Sequence, residues 1–256
     1  MDELPSFDLS GRTALVTAAG RGLGRATALA LAAAGADIAL GLRDVTTGGE
    51  LVERVESLGR RVLPLQMDVT DLTQVRSAVD AAVEHFGSID ILVNNAGIAP
   101  GNPAEDVTEE DFDRTLLVNL KGTYFTSQYV GRHMLERGYG RIVMIGSQAG
   151  EIALPEESVY CMTKAGIAHL TRCLAVEWGS RGITVNNVAP TFVETDGTRP
   201  VLDDPAFRAD VVERIAALHR IGRPVEVAGA VVFLVSPAAS LITGHTLLID
   251  GGWTAR

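Results

Sequence analysis

The sequence predicts an α/β fold, a parallel sheet covered by helices on both faces, and three observations predict it. Strand-like runs alternate with helix-like runs from end to end, the strand-like runs are short and apolar on both faces, and the first of them runs into a glycine-rich turn that opens a helix. Alternation of this kind joins parallel strands by crossover helices. Runs apolar on both faces mark strands buried on both sides.

The elements follow in order. Thr13-Ala-Leu-Val-Thr17 reads as a strand, and Gly22 to Ala34, rich in Ala and Leu, as a helix. Ile38 to Leu42 is strand, Gly48 to Leu58 helix, Val62 to Met67 strand and Asp71 to Phe86 helix. Ile91 to Val93 is a strand that runs into Asn94-Asn95-Ala96-Gly97. Glu109 to Glu136 reads as one long helix, Arg141 to Ile145 as strand and Ser158 to Ser180 as helix. Thr184 to Val188, Val225 to Leu234 and Thr246 to Ile249 complete the chain as strand, helix and strand. There is no linker, repeat or low-complexity tract, so the whole chain, 1–256, reads as one domain. The irregular stretch is Pro190 to Pro205, and long loops in compact domains usually carry function. It is expected to begin a substrate lid at about 190–220.

Composition sets limits on function. The 256 residues are 46% hydrophobic, enough to bury a core, and carry a net charge of −10. That excess of acid repels nucleic acid, although local Arg side chains and backbone N–H groups can still hold an anionic cofactor. The acidic start, Met1 to Gly11, has neither the basic end nor the apolar run of a signal peptide. No stretch approaches the roughly 18 apolar residues of a membrane span. Cys161 and Cys173 fall on one expected helix, about 18 Å apart at its rise per residue and beyond the ~7 Å reach of a disulfide. A reduced, cytoplasmic protein is the expectation. The five histidines are scattered without ligand spacing, so no metal site is expected.

Four short stretches carry chemistry. Thr17-Ala-Ala-Gly-Arg-Gly-Leu-Gly24 sits between a strand and a helix, where glycines admit a pyrophosphate and the helix N-terminus supplies free N–H groups. Arg21, Gly22, Leu23 and Gly24 are its candidate cofactor contacts, although a tight turn alone would read the same way. Asn94-Asn95-Ala96-Gly97 closes a central strand at the sheet end where open α/β folds bind ligands, though an ordinary Asn/Gly turn fits too. Tyr160 and Lys164 lie four apart on a helix and so share a face. A nearby cation favours the phenolate of a tyrosine whose ordinary pKa is near 10. Ser147 ends the strand before them, a common place for a turn residue. The joint occurrence of all four, in order and each on its proper element, separates chemistry from coincidence.

On these residues, together with Asp68-Val69, Val118-Asn119 and Asp250-Gly251-Gly252, the chain resembles the short-chain dehydrogenase/reductase family over essentially its whole length. The resemblance implies a Rossmann-type, doubly wound sheet of seven parallel strands, and a nicotinamide-dependent reaction. It implies Tyr160 as general acid/base and Lys164 as the group that binds the nicotinamide ribose and lowers the Tyr160 pKa. Ser147 would hold the substrate oxygen, and Asn119 would anchor a water linking Lys164 to solvent. Asp68 and Val69 would meet the adenine, Asn95 and Gly97 the adenosine ribose region and ligand, and Val193 and Thr195 the carboxamide and pyrophosphate. Two positions depart from the family pattern. Ala18 replaces the usual first glycine of the turn, harmless if φ is negative there, and Thr191 follows Pro190 where glycine is usual.

The implied reaction is hydride transfer between NAD(P)(H) and a secondary alcohol or ketone. The mixture of apolar and charged residues in Gln148 to Glu157 and in the lid leans toward a sugar, polyol or small hydroxy ketone. A 3-oxoacyl thioester is the alternative, and a cofactor-binding regulator without turnover is the rival of another class. Glu156 and Glu157 flank the substrate side of Tyr160 but read first as a solvated loop. In NAD-specific Rossmann sites an acid about 20 residues past the glycines binds the ribose 2′-hydroxyl. Here Leu42 stands at that strand end, followed by Arg43. Arg21 and Arg43 together could clamp a 2′-phosphate, so NADP(H) is expected ahead of NAD(H). Asp44 could instead neutralise Arg43, or Arg43 could stack on the adenine ring. Apolar surface on the long helices and the family resemblance both point to a homotetramer.

Overall fold

Thr13–Thr17 (β1) is buried along its whole length and pairs with strands on either side. The computed structural model describes residues 4–255, so the first three residues of the acidic N-terminal stretch and residue 256 lie outside it. The other strands are Asp37–Leu42 (β2), Val62–Gln66 (β3), Ile91–Asn94 (β4), Gly140–Ile145 (β5), Ile183–Pro190 (β6) and Thr246–Ile249 (β7). All pair in parallel, in the seven-stranded order β3-β2-β1-β4-β5-β6-β7. The chain reverses its winding between β1 and β4, and the carboxyl ends of those strands flank the crevice where such sheets bind ligands.

Helices cover both faces. On one, Gly22–Ala33 (α1), Gly49–Ser57 (α2) and Pro224–Val235 (α9) bury Leu31, Leu51 and Val231 against Val16, Leu40 and Val143. On the other, Leu72–Phe86 (α3), Thr123–Arg137 (α5) and Ser158–Trp178 (α6) bury Val79, Met134 and Ile167 against Leu15, Leu92 and Ile142. Alternate residues of one strand thus feed two cores, as a sheet apolar on both faces requires.

Two expectations change. The run from Glu109 is not one helix: Glu109–Leu116 (α4) passes through a π-helical segment, Leu117–Gly122, before α5 begins. Hydrophobic periodicity is too coarse to reveal one inserted residue, because the apolar face recovers a turn later. The stretch after Pro190 is also more ordered than its composition suggests. It holds two short helices, Arg199–Leu202 (α7) and Pro205–Arg214 (α8), each with a proline in its first turn and the second capped by Asp204.

These helices have a small core of their own. Leu202, Val211 and Ile215 pack with Trp253, and Ile152 and Leu154 from the segment after Ser147 join the cluster. Phe192 stacks on Trp253 at 6.1 Å and meets Phe207 edge-on at 5.6 Å. Truncating Trp253 to Ala should cost roughly 3 kcal/mol. It should speed proteolytic cleavage within 190–220 and raise the KM of the alcohol while leaving the cofactor Kd within twofold. Unchanged cleavage at those residues in a limited digest would show that the cluster does not hold the segment.

Candidate active site

Thr17 and Asn95 build the floor of the crevice. The Thr17 hydroxyl accepts from the backbone N–H groups of Asn95 and Ala96 at 2.9 and 3.1 Å. The Asn95 amide donates back to the carbonyls of Thr17 and Ala18 at 3.0 and 3.2 Å. This exchange fixes the end of β4 to the glycine-rich turn, so the Asn95 side chain is engaged in holding the turn. Gly24 lies directly over it. A Cβ there would stand 2.4 Å from the Ala18 carbonyl oxygen and 2.5 Å from the Asn95 amide nitrogen.

Ala18 adopts φ +50°. The position therefore requires the left-handed region that glycine enters freely, and alanine pays a strain there of about 1–2 kcal/mol. The condition under which the replacement would be harmless does not hold. Thr191, the other departure, has no such strain; its N–H donates to the Ile249 carbonyl, and its buried hydroxyl has no partner among the described residues.

Three of the four catalytic candidates, from the end of β5 and from α6, converge on one cavity of about 550 Å³, which Ser147, Tyr160 and Lys164 line together with Arg21, Leu23, Asn95 and Gly97; Asn119 does not line it. Val193 and Thr195 line its lid side, and Val193 is tied by a single bridge to Gly222. The cavity thus joins the glycine-rich turn to the tyrosine and leaves bare backbone at the turn, so the residues present fit a dinucleotide. Ser147 spends its hydroxyl partly on the N–H of Ala149, capping a short helical turn.

Burial pushes the Tyr160 phenol up to about 12, while the Ser147 hydroxyl pulls the other way. Burial also brings the Lys164 ammonium down to about 8. Lys164 donates to the Ile145 carbonyl at 2.8 Å and lies 5.4 Å from the centre of the Tyr160 ring. The ammonium therefore sits over the ring, and the lowered phenol expected from their pairing is absent in this arrangement. Asn119, in the π-helical segment, accepts from Ile98 N–H and donates to Ile98 carbonyl, both at 2.9 Å, and to Thr163 at 3.1 Å. Its side chain ties the loop after β4 to α6.

At the adenine end, Asp68 accepts from the N–H and hydroxyl of Thr70 at 2.9 and 2.8 Å, and Val69 is buried. Leu42 is buried beneath the turn against Gly20 and Gly48 and offers no acceptor. Arg21 and Arg43 are exposed and form no ion pair among the described residues. The Asp44 carboxylate accepts from the N–H and hydroxyl of Thr46 at 3.0 and 2.6 Å; those bonds, with the nearby Arg43, hold it below the usual carboxylate range. Among these residues there is no group of His, Cys, Asp and Glu able to hold a metal ion, and no helix long and apolar enough to cross a membrane.

A switch-point crevice with a glycine-rich helix start and a Tyr–Lys pair on one helical face, the lysine buried and the tyrosine half-buried, defines a nicotinamide-dependent oxidoreductase. The model of the enoyl-(acyl carrier protein) reductase family matches residues 17–254. A D-threitol dehydrogenase of Mycolicibacterium smegmatis is 42% identical over 98% of this chain and 95% of its own length. A 2-dehydro-3-deoxy-D-gluconate 5-dehydrogenase of Bacillus subtilis is 41% identical over 98% of both. The crystal structure of a gluconate 5-dehydrogenase from Burkholderia cenocepacia, in complex with NADP and tartrate, superposes with a TM-score of 0.94 at 38% identity, covering 98% of both chains. The chain belongs to the short-chain dehydrogenase/reductase family and is an NAD(P)-dependent oxidoreductase acting on CH–OH groups.

Ala18→Gly should relieve the strained backbone and, after the entropy that glycine adds to the unfolded chain, raise Tm by roughly 1–3 °C. Gly24→Ala should abolish cofactor binding, because its methyl meets backbone that cannot move aside. Thermal unfolding and fluorescence titration with NADPH measure both. A lower Tm for Ala18→Gly would rule out strain at that turn.

Proposed function

We propose that this chain interconverts a secondary alcohol of a sugar, polyol or small hydroxy ketone with the corresponding ketone, using NADP(H) ahead of NAD(H). The observation that carries this reading is the single cavity uniting the glycine-rich turn with Ser147, Tyr160 and Lys164. The polyol and sugar-acid relatives support the substrate class. When bound, the dinucleotide supplies the hydride donor for reduction and the hydride acceptor for oxidation.

The chain's own residues position oxygen and move the proton. Ser147 donates a hydrogen bond to the substrate oxygen. Tyr160 gives its phenolic proton to that oxygen during ketone reduction and takes it back during alcohol oxidation. A phenol held near 12 remains protonated at neutral pH, which suits reduction. Lys164 would bind the nicotinamide ribose, and Asn119 keeps the opposing loop and α6 in register. Backbone at Gly22 to Gly24, with Arg21 and Arg43, would hold the phosphates. Asp68, Val69 and Asn95 would frame the adenosine, Gly97 would leave room beside Lys164, and Val193 with Thr195 would close on the carboxamide. The whole chain serves as one domain, with 190–220 as the lid, and works as a cytoplasmic homotetramer. The exposed Phe112, Tyr124 and Val176 on α4, α5 and α6 support association.

Tyr160→Phe should lower kcat by roughly 10²–10⁴-fold and leave NADPH binding within several-fold. In the wild type, kcat/KM for alcohol oxidation should climb from pH 6 to pH 7, because the phenolate fraction of a phenol near 12 rises with pH while Lys164 is still charged, and should flatten toward pH 8, where Lys164 begins to lose its charge. Retention of a tenth of the turnover by the variant sinks the role of Tyr160. Arg43→Ala should shift the NADP/NAD ratio of kcat/KM toward NAD by tenfold or more, and an unmoved ratio rules out a phosphate clamp. Light scattering should give a mass well above the 27.1 kDa of one chain; a monomer at micromolar concentration refutes the tetramer.

A further inference from the structure

The chain carries a net charge of −10, yet the cations Arg21, Arg114 and Lys164 all line its large cavity, against the single carboxylate of Asp111. A cleft lined by one sign of charge concentrates ligands of the other. Under the function proposed above, the dinucleotide takes two of these cations, Arg21 at its phosphates and Lys164 at its nicotinamide ribose. Arg114 has no such assignment.

Its place follows from the elements around it. Asp111 and Arg114 are three residues apart on α4 and share a face. Asp111 also lines a small neighbouring pocket with Pro100, Ser158 and Val159, which sets that face against the loop after β4 and the first turn of α6. The loop forms one wall of the cavity from Gly97 to Pro100, and a Cβ on Gly97 would lie 3.6 Å from Lys164 Nζ. Arg114 and Tyr160 thus border the same space. None of Arg43, Asp68 and Val69, the residues expected at the adenosine end, lines it.

The fold makes little use of this guanidinium. Arg114 is exposed and forms no ion pair among the described residues. Because α4 continues into the π-helical segment, there is no open helix end whose carbonyls it would serve. The Asp111 carboxylate accepts from the Thr108 hydroxyl at 3.0 Å and the Asn102 amide at 3.4 Å. Glu157 does not line the cavity. Its Oε2 is sealed from solvent with no partner among the described residues, so the solvated-loop reading does not hold for it.

We propose that Arg114 is a specificity-determining residue that binds a carboxylate on the substrate, so that polyhydroxylated acids are preferred to neutral polyols. This rests on the reading of the site as one for polyhydroxylated substrates, and narrows it to the charged members of that class. A guanidinium holds a carboxylate through two parallel N–H···O bonds. Fixing that end of the substrate selects which carbinol meets Ser147 and Tyr160. A neutral polyol offers a hydroxyl in its place, which makes a weaker bond and leaves the cation without a counter-charge.

The test compares D-gluconate with D-glucitol, the same carbon chain with a hydroxymethyl group in place of the carboxylate, and adds D-threitol as a shorter neutral polyol. NADPH formation is followed for each at pH 7. Wild type should favour gluconate over glucitol by at least tenfold in kcat/KM, and its KM for gluconate should rise severalfold with added salt. Arg114→Gln should lower kcat/KM for gluconate by tenfold or more, chiefly through KM, with glucitol turnover, NADPH affinity and Tm unchanged. Arg114→Lys, which keeps the charge but not the fork, should fall between the two. A wild-type preference for glucitol or threitol overturns this inference alone, since polyol oxidation then stands. A ratio that moves less than twofold in Arg114→Gln, or an equal loss on every substrate, does the same. A matching loss of NADPH affinity overturns it too, because that places Arg114 on the cofactor. Turnover of none of these compounds, with or without reduction of a 3-oxoacyl thioester, overturns the polyol reading itself and this inference with it.

Discussion

The hydrogen-bond exchange between Thr17 and Asn95 is the constraint on which the site depends. It joins the carboxyl ends of β1 and β4 where the sheet changes its direction of winding. Because Asn95 also holds the Ala18 carbonyl, the turn before α1 is brought in close enough that only hydrogen fits at Gly24. Exposed N–H groups at the start of α1 then face the same opening as the tyrosine and lysine of α6. The strain at Ala18 is the cost of that approach, borne by packing around it.

Electrostatics at the far side of the cavity follow from burial more than from pairing. Tyr160 and Lys164 share a helical face, yet each is shifted toward its neutral form because each is removed from water. Lys164 donates to the Ile145 carbonyl and stands 5.4 Å from the centre of the Tyr160 ring. Repositioning of that ammonium by a few ångströms would alter the acid strength of Tyr160, so the chemistry is sensitive to what else occupies the cavity.

Much of this was legible in the sequence for physical reasons. A strand buried on both faces has few alternatives to its apolar run, so β1 falls at its expected bounds. Glycine, Asn-Asn and the spacing of Tyr160 and Lys164 signal through backbone freedom and helical periodicity, both local properties. What escaped detection is set by distant contacts. The φ of Ala18 is imposed by Asn95 and Gly24, and the burial of Glu157 by the loop bearing Gly101 and Asn102. The helices α7 and α8 depend on a small apolar cluster completed by Trp253, far along the chain. Sequence composition alone averages such effects away.

The π-helical segment has a consequence for how this chain can change length. Each residue of an α-helix turns the chain by about 100°, so the wider turn at Leu117–Gly122 sets the rotational phase between α4 and α5. Losing one residue there and reverting to an ordinary helix would turn one end against the other by that angle. Either Asn119 would swing away from Ile98 and Thr163, or Val130 and Met134 would leave the core. A loop such as 98–102 can absorb a deletion by bending. Here the length of the chain is quantised by the helix, and the catalytic side of the molecule is locked to the packing side through a single shared count of residues.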